Sequence, residues 1–369
     1  MKLAIAQQVL FGPLQLVSGA VERRQTLPVL ANILFQVEDG TLSLTGTDLE
    51  VEMVAHIPLE GEYEPGEITV PAKKLVDIVK TLNPDETIRL ELNENKMKLI
   101  TSKSRFSLAT LPANEFPTLD ESVGLADVKL DVRELKSVIG NTQFAMAQQD
   151  VRYYLNGMLF DFSPEKKLIA VATDGHRLAL SSTEFESEVG EDRQQAIVPR
   201  KGVLELNRFL SSVDEEIQLQ ISANHLRASS THFSFTTKLV DGKYPDYEKV
   251  LPKGGDKLVI AMKSVLKESL QKASILCNEK FRGVRFYLSN GLVKIHSNNP
   301  EQEEAEIELE VDYNGPDLEI GFNVNYMLDV LNTTNSENVK LTFSDANSSL
   351  LVEEVEGSTS LYVIMPMRL

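Results

Sequence analysis

One pattern is written three times along the 369 residues of this chain, at a spacing of roughly 125 residues. Residues 70–117 (VPAKKLVDIVKTL through FPTL) and 198–245 (VPRKGVLELNRFL through YPDY) superpose at a constant offset of 128. Val70, Pro71, Leu75, Ile78, Leu82, Phe116 and Pro117 fall on Val198, Pro199, Val203, Leu206, Leu210, Tyr244 and Pro245. A weaker third copy runs from FNVNYMLDVLN at 322–332 to YVIMPMRL at the end of the sequence. Periods of 20–50 residues belong to solenoids, whereas this one is the size of a domain. The expectation is three related domains in a row, at 1–124, 125–252 and 253–369, divided where Gly, Pro and charge interrupt the periodicity (SVGLADV at 122–128, VLPKGGDK at 250–257).

Each repeat reads as an opening helix, two or more strands, a second helix and several closing strands, an α+β layout with helices packed on antiparallel sheets. Apolar and polar residues alternate in LANILFQVEDGTLSLTGTDLEVEMVAHI around Asp39-Gly40, a hairpin signal. The helices are predicted over 7–20, 71–82, 131–147, 199–211, 262–276 and 324–333, and their apolar faces are narrow. Leu75, Ile78, Val79 and Leu82 form one such face, with Lys73, Lys74 and Lys80 on the others. The opening MKLAIAQQVLFGPLQLVSGA is interrupted by Gln7 and Gln8 and keeps helical spacing, so it is expected to be a domain's first helix rather than a signal peptide. No run approaches the length of a bilayer span, and the chain reads as cytoplasmic, with no membrane partner.

A net charge of −18 argues against phosphate binding over the surface as a whole. Location changes that argument. The six predicted helices hold 11 Lys and Arg against 6 Asp and Glu, leaving 26 against 49 elsewhere. An acidic body with basic helices attracts DNA on one surface only. Taken singly, each helix lysine is a solvated face; the joint excess is the signal.

No cofactor or metal motif stands out. Cys277 is the one cysteine, and CxxC, HExxH and EF-hand spacings are absent from the sequence. Gly254-Gly255-Asp256-Lys257 lacks the context of a phosphate loop and reads as a linker. Cys277, beside Ile275 and Leu276 in a predicted helix, reads as a buried structural thiol. Asp174 and His176 raise the alternative of a hydrolase, but Thr47-Asp48 occupies the equivalent point of the first repeat, which favours a loop role for both aspartates. A repeat scaffold that never meets DNA is the other alternative.

The strings QDVRYYLNGMLF (149–160), TDGHRLAL (173–180), VPRKG (198–202), KLVDGKYPDY (238–247), NEKFRGVRFY (278–287), NNPEQEEAE (298–306) and MPMRL (365–369) resemble the bacterial β sliding clamps, the processivity subunits of replicative DNA polymerases. The resemblance covers the whole length, including SLTGTDLE and SRFSL in the first repeat. It implies three DNA-clamp domains per chain, dimerising into a closed six-domain ring around duplex DNA, without catalysis or cofactor. A ring that slides must hold phosphates without reading bases, which suits dispersed basic side chains on helices.

The resemblance also implies residue roles. DNA contacts fall on Arg24, Gln149, Tyr153 and Tyr154, to which the basic-helix reading adds Lys73, Arg200 and Lys201, with the tyrosines able to stack on unpaired bases; the alternative for Tyr153-Tyr154 is one buried and one exposed strand residue. The dimer interface falls on Lys74, Lys103, Arg105 and Phe106, on a predicted edge strand, and on Ile275, Leu276, Glu301, Glu303, Glu304 and Glu306. Opposite charges at opposite ends of the chain are what a contact closing a two-fold ring requires. Partner peptides fall in an apolar cleft lined by Leu155, Thr173, Gly175, His176, Arg177, Leu178, Pro245, Val250, Asn323, Tyr326, Ser349, Val363, Met365, Pro366, Met367 and Arg368. The implied partners are a second copy of the chain, double-stranded DNA, a clamp-loader ATPase, and polymerases and repair proteins carrying short Leu- and Phe-containing peptides.

Overall fold

The computed structural model describes residues 1–21, 27–119, 126–186, 193–213, 216–357 and 359–368. The first repeat contains β1 (Lys2–Ala6), α1 (Gln7–Val17), β2 (Asn32–Glu38), β3 (Thr41–Thr47), β4 (Val51–Pro58), β5 (Gly66–Pro71), α2 (Ala72–Lys80), β6 (Thr87–Asn93), β7 (Lys96–Ile100) and β8 (Arg105–Ala109). The second contains β9 (Ala126–Asp131), α3 (Val132–Thr142), β10 (Gly157–Ser163), β11 (Lys167–Thr173), β12 (Arg177–Glu184), β13 (Gln194–Pro199), α4 (Arg200–Leu210), β14 (Glu216–Ile221), β15 (His225–Ser229) and β16 (Phe233–Lys238). The third contains β17 (Lys257–Met262), α5 (Lys263–Ile275), β18 (Gly283–Ser289), β19 (Leu292–Asn298), β20 (Glu304–Glu310), β21 (Leu318–Asn323), α6 (Val324–Thr333), β22 (Asn338–Phe343), β23 (Leu350–Glu354) and β24 (Ser360–Ile364).

The six helices lie within the spans expected of them, but a strand precedes every one. Each repeat therefore opens on a strand, not on a helix, and is itself double: β-α-β-β-β occurs twice per repeat and six times in the chain. The strands missed in sequence are short. KLAIA sits directly against its helix, and ADVKLD and KLVIAM lie partly inside the segments read as linkers. Cys277 lies just beyond α5 rather than within it; it is buried, and its thiol faces the Ser274 carbonyl at 3.2 Å.

The chain forms two compact units, one chiefly of Met1–Arg133 and Lys201–Leu239, the other of Glu134–Phe185 and Val240–Leu369. The first holds a four-stranded sheet, β1-β6-β7-β8, and an eight-stranded sheet, β5-β2-β3-β4-β16-β15-β14-β9. Asp39 and Gly40 close the β2–β3 hairpin with φ of 47° and 75°, the left-handed pair that a tight hairpin turn needs. Helix α1 buries Leu10, Leu14 and Val17 against β3 and β4. The approach is close enough that a Cβ on Gly46 would lie 2.6 Å from the Val17 carbonyl oxygen. Leu75 and Val79 of α2 and Val203, Leu206 and Phe209 of α4 are buried as well, each worth about 1.5–3 kcal/mol.

The second unit has the mirrored inventory: an eight-stranded sheet, β13-β10-β11-β12-β24-β23-β22-β17, and a four-stranded one, β20-β19-β18-β21. Leu266, Leu270 and Ala273 of α5 and Met327, Val330 and Leu331 of α6 are buried. Both eight-stranded sheets obey one rule: the last strand of a repeat's first half pairs with the last strand of the next repeat's second half. Thus β4 pairs with β16, Val51 opposite Thr237, and β12 pairs with β24, Arg177 opposite Ile364. Within the described residues that rule leaves β8 and β20 as the outer strands of their four-stranded sheets.

Candidate functional site

The β12–β24 junction carries an apolar cluster of the second unit. Leu178 lies opposite Val363 and Leu180 opposite Leu361. Leu155, Leu178, Leu180 and Val363 belong to one cluster with Val171, Ile197, Tyr244 and Tyr247, and Val250, Leu351 and Leu361 pack half-buried against it. The wall bearing Tyr244, Pro245 and Tyr247 is anchored from beneath. Fully buried Asp161 accepts bonds from Arg193 Nε at 2.7 Å and from the Tyr247 hydroxyl at 3.0 Å. Burial pushes the Tyr244 and Tyr247 hydroxyls well above the usual tyrosine range, so both stay neutral.

The loop from Thr173 to Arg177 forms one rim. Thr173 Oγ1 donates to the Arg177 carbonyl at 2.6 Å, and Asp174 Oδ1 accepts the His176 and Arg177 amides at 2.9 and 3.0 Å. The equivalent Thr47-Asp48 loop does the same, Asp48 Oδ1 accepting the Glu50 and Val51 amides at 2.9 and 2.8 Å. Asp174 Oδ2 takes the Arg177 Nε at 3.1 Å, and the His176 ring stacks on Tyr326 at 6.3 Å. With its oxygens so engaged and no imidazole bonded to it, Asp174 is a loop former, and an acid–base pair with His176 has no geometric support.

Arg177 fastens the rim to α6. Its guanidinium lies 4.6 Å above the Tyr326 ring and 5.2 Å from Phe144. Nη1 reaches Asp329 at 2.5 Å and Nη2 the Phe144 carbonyl at 3.0 Å. The side chain is only 11% exposed, so little of it faces a ligand. Phe144 and Asp329 were not foreseen, because their role depends on a contact between distant segments that no local spacing encodes.

The end of the chain forms the facing rim. The Met365 amide donates to the His176 carbonyl at 2.9 Å and the Met367 amide to the Gly321 carbonyl at 2.7 Å, holding Pro366 between them. Met367 and exposed Arg368 also line a cavity with Phe281, Arg285 and His296. Asn323 caps α6 by accepting the Asn325 amide at 2.9 Å, and Ser349 precedes β23, whose Leu350 pairs with Ile364. The residues expected to line a cleft thus all lie in one unit.

The other expected residues occupy separate places. Lys74, Lys103 and Arg105 are exposed and Phe106 half-buried at β8 and α2. Glu304 and Glu306 lie on β20, preceded by Glu301 and Glu303; Lys294 on β19 reaches Glu306 at 3.1 Å and Glu308 at 3.4 Å. Ile275, at the end of α5, is 76% exposed, and Leu276 is half-buried. Lys73 is exposed in the first turn of α2. Arg200 is half-buried, its Nη1 3.4 Å from the Met146 carbonyl.

Lys201 is ion-paired: its ammonium is bonded to the Asp48 carboxylate, which is only 3% exposed, so the two charges offset each other. Gln149 adopts φ of 56°, next to an Asp150–Arg152 fork at 2.9–3.0 Å. Tyr153 and Tyr154 sit on a 3-10 turn rather than a strand, in edge contact at 5.8 Å, the first 57% exposed and the second packed on the apolar cluster. Arg24 lies outside the described residues. Among the described residues no group of three His, Cys, Asp or Glu side chains could hold a metal.

Comparison with known proteins agrees along the whole chain. Residues 1–120, 129–246 and 248–368 match the N-terminal, central and C-terminal domains of the DNA polymerase III beta subunit. The sequence is 55% identical to the beta sliding clamp of Pseudomonas aeruginosa and 50% identical to that of Escherichia coli, in each case covering 100% of both chains. A crystal structure of the P. aeruginosa clamp superposes with a TM-score of 0.97 at 54% identity over 100% of both chains, and another, bound to griselimycin, does so at 55%. The Caulobacter crescentus clamp gives 0.93 at 34%, covering 100% of this chain and 99% of that one. With three tandem clamp domains and this likeness throughout, the chain belongs to the bacterial β sliding clamps, the non-catalytic DNA sliding clamps of the replicative polymerase.

Proposed function

We propose that two copies of this chain close into a six-domain ring through β8 of one and β20 of the other. The observation that carries this reading is the junction rule, which leaves these two strands without the partner that β4 and β12 have. Extending the register in which Val51 opposes Thr237 and Arg177 opposes Ile364 sets Glu303 against Ala109 and Glu306 against Phe106. In that register Arg105 falls opposite Ile307, beside Glu306 and Glu308, while Glu301, Glu303 and Glu304 fall opposite Leu111, Ala109 and Leu108; the acidic strip and the Lys74, Lys103 and Arg105 group thus share one seam, and Ile275 and Leu276 cover Phe106. Lys103 keeps charge but lacks the planar fork of an arginine. Replacing Ile275 and Leu276 together by Ala is expected to give a monomer in sedimentation, the loss of apolar cover being worth a few kcal/mol. A double variant that remains a dimer places the interface elsewhere.

Such a ring holds duplex DNA through phosphates. Lys73, Arg200 and Arg24 are the basic groups assigned to this contact, together with Gln149, Tyr153 and Tyr154. Five of the six helices lack an acidic residue in the first turn, so their positive ends are not neutralised. Retention on nicked circular DNA that is lost on linearisation tests encirclement. The β12–β24 cleft takes the Leu- and Phe-containing ends of polymerases and repair proteins, and a clamp-loader ATPase opens the ring. The domains divide at 1–124, 125–252 and 253–369, and the setting is the bacterial cytoplasm. No described helix is long and apolar enough to cross a membrane.

A further inference from the structure

The junction of β4 with β16 repeats that of β12 with β24 strand for strand, yet its outward face carries the opposite chemistry. Through the paired registers, Glu52 takes the place of Leu178, Thr45 of Val171, Ser43 of Ile169, Thr236 of Val363, Ser234 of Leu361 and Arg227 of Leu351. The face remains concave, with a cavity of about 350 Å³. A Leu-Phe peptide end is excluded, because seating it would strip water from these polar groups without replacing their hydrogen bonds.

What converges instead is a set of donors. Three of the chain's five histidines gather here: His56 and His225 in the lining, and His232, whose carbonyl accepts the His56 amide at 2.8 Å. His56 Nδ1 is 3.0 Å from Ser43 Oγ. The His56 imidazole is held below its ordinary pKa first by burial, then by the charges of Arg227 and His232, so it offers a neutral N–H donor. Glu52 is the single carboxylate among the described residues of the lining; it is 8% exposed and one of its oxygens accepts the Leu119 amide at 3.0 Å. Fixed hydroxyl, imidazole and guanidinium donors around a small concavity are what binds a compact oxyanion.

We propose that this cleft is a second ligand site of the clamp, taking a small ligand through a phosphate-class dianion held by His56, Arg227 and the Ser43 hydroxyl. Equilibrium dialysis of the full chain against labelled inorganic phosphate, at fixed ionic strength, is expected to give one saturable site per chain. His56→Gln and Ser43→Ala should each weaken it about tenfold with thermal melting unchanged. Ile275→Ala with Leu276→Ala should leave it intact, so a failed ring assignment and a failed phosphate site give different results. Absence of saturation below about 10 mM phosphate, binding indifferent to both variants, or equal loss to added chloride at matched ionic strength overturns the proposal.

Discussion

The two eight-stranded sheets share a backbone and a core, and differ on the face turned outward. Inward, Val51, Met53 and Phe235 at one junction and Ala179 and Tyr362 at the other are all fully buried. Outward, one junction offers leucine and valine and the other serine, threonine, histidine and arginine. Register is fixed by the buried face, since a slip of one residue would turn every core side chain into water. That leaves the outer face free to change chemistry without changing the fold, so equivalent geometry in two repeats does not imply equivalent ligands.

The comparison breaks most directly if one cleft is rewritten as the other. Leu178→Glu with Val363→Thr copies Glu52 and Thr236 into the apolar cleft and removes side chains that are 2% and 1% exposed. A peptide ending in Leu-Phe should lose at least about a hundredfold in affinity by fluorescence anisotropy. Intact affinity would mean the apolar face is not the peptide site. Deleting Met365 to Leu369 removes one rim only; peptide binding should fall while the sedimentation coefficient still reports a dimer.

Arg177 sharpens the contrast, because its counterpart is Val51. Arg177→Ala leaves Asp174 and half-exposed Asp329 without their partner, and about 1–3 kcal/mol of stability should disappear in urea melts. Arg177→Lys keeps the charge but loses the fork, so peptide affinity should drop while most stability returns. Unchanged affinity in the lysine variant would reduce Arg177 to a structural role. Lys201→Met strands the buried Asp48 carboxylate at a cost of similar size, yet should leave the salt dependence of DNA retention unaltered; Lys73→Met should lower that slope by about one.

The smallest effect is on pH. The Asp150 carboxyl is held at about 2, chiefly by the Arg152 side chain. Its depressed value means the fork contributes above the ordinary carboxylate range and is lost only as pH falls toward 2. A carboxyl-carbon titration midpoint near 4 would show that the fork does not form in solution.

Sequence reading reached the repeats and the six helices because apolar periodicity records which side of an element is buried. The Asp39-Gly40 turn was legible for a local reason, the left-handed backbone it needs. What escaped was the duplication within each repeat, since the strands before the helices are too short and too near Gly or Pro to stand out. The constant element was nonetheless there, in the alternating runs KLAIA, EITVP, DVKLD, QAIVP, KLVIAM and LEIGFN, each abutting a helix. The Arg177 contacts with Phe144 and α6 and the polar character of the first cleft were invisible, because both arise from segments that are distant in sequence.

That distance has a cost during synthesis. Strand β4 ends at Pro58 and its neighbour β16 begins at Phe233, so at ribosomal rates of about 5–20 residues per second the open edge of β4 waits on the order of ten to thirty-five seconds for cover. Strand β12 faces a similar wait for β24, with Leu178 and Leu180 on it. A nascent chain in this interval is a half-built sheet seeking a strand, and the nearest supply is another nascent chain on the same message. The charged and imidazole-bearing face of β4 makes that premature pairing less sticky at the first junction than at the second, so translational pauses after residue 184 should aggregate more than pauses after residue 58.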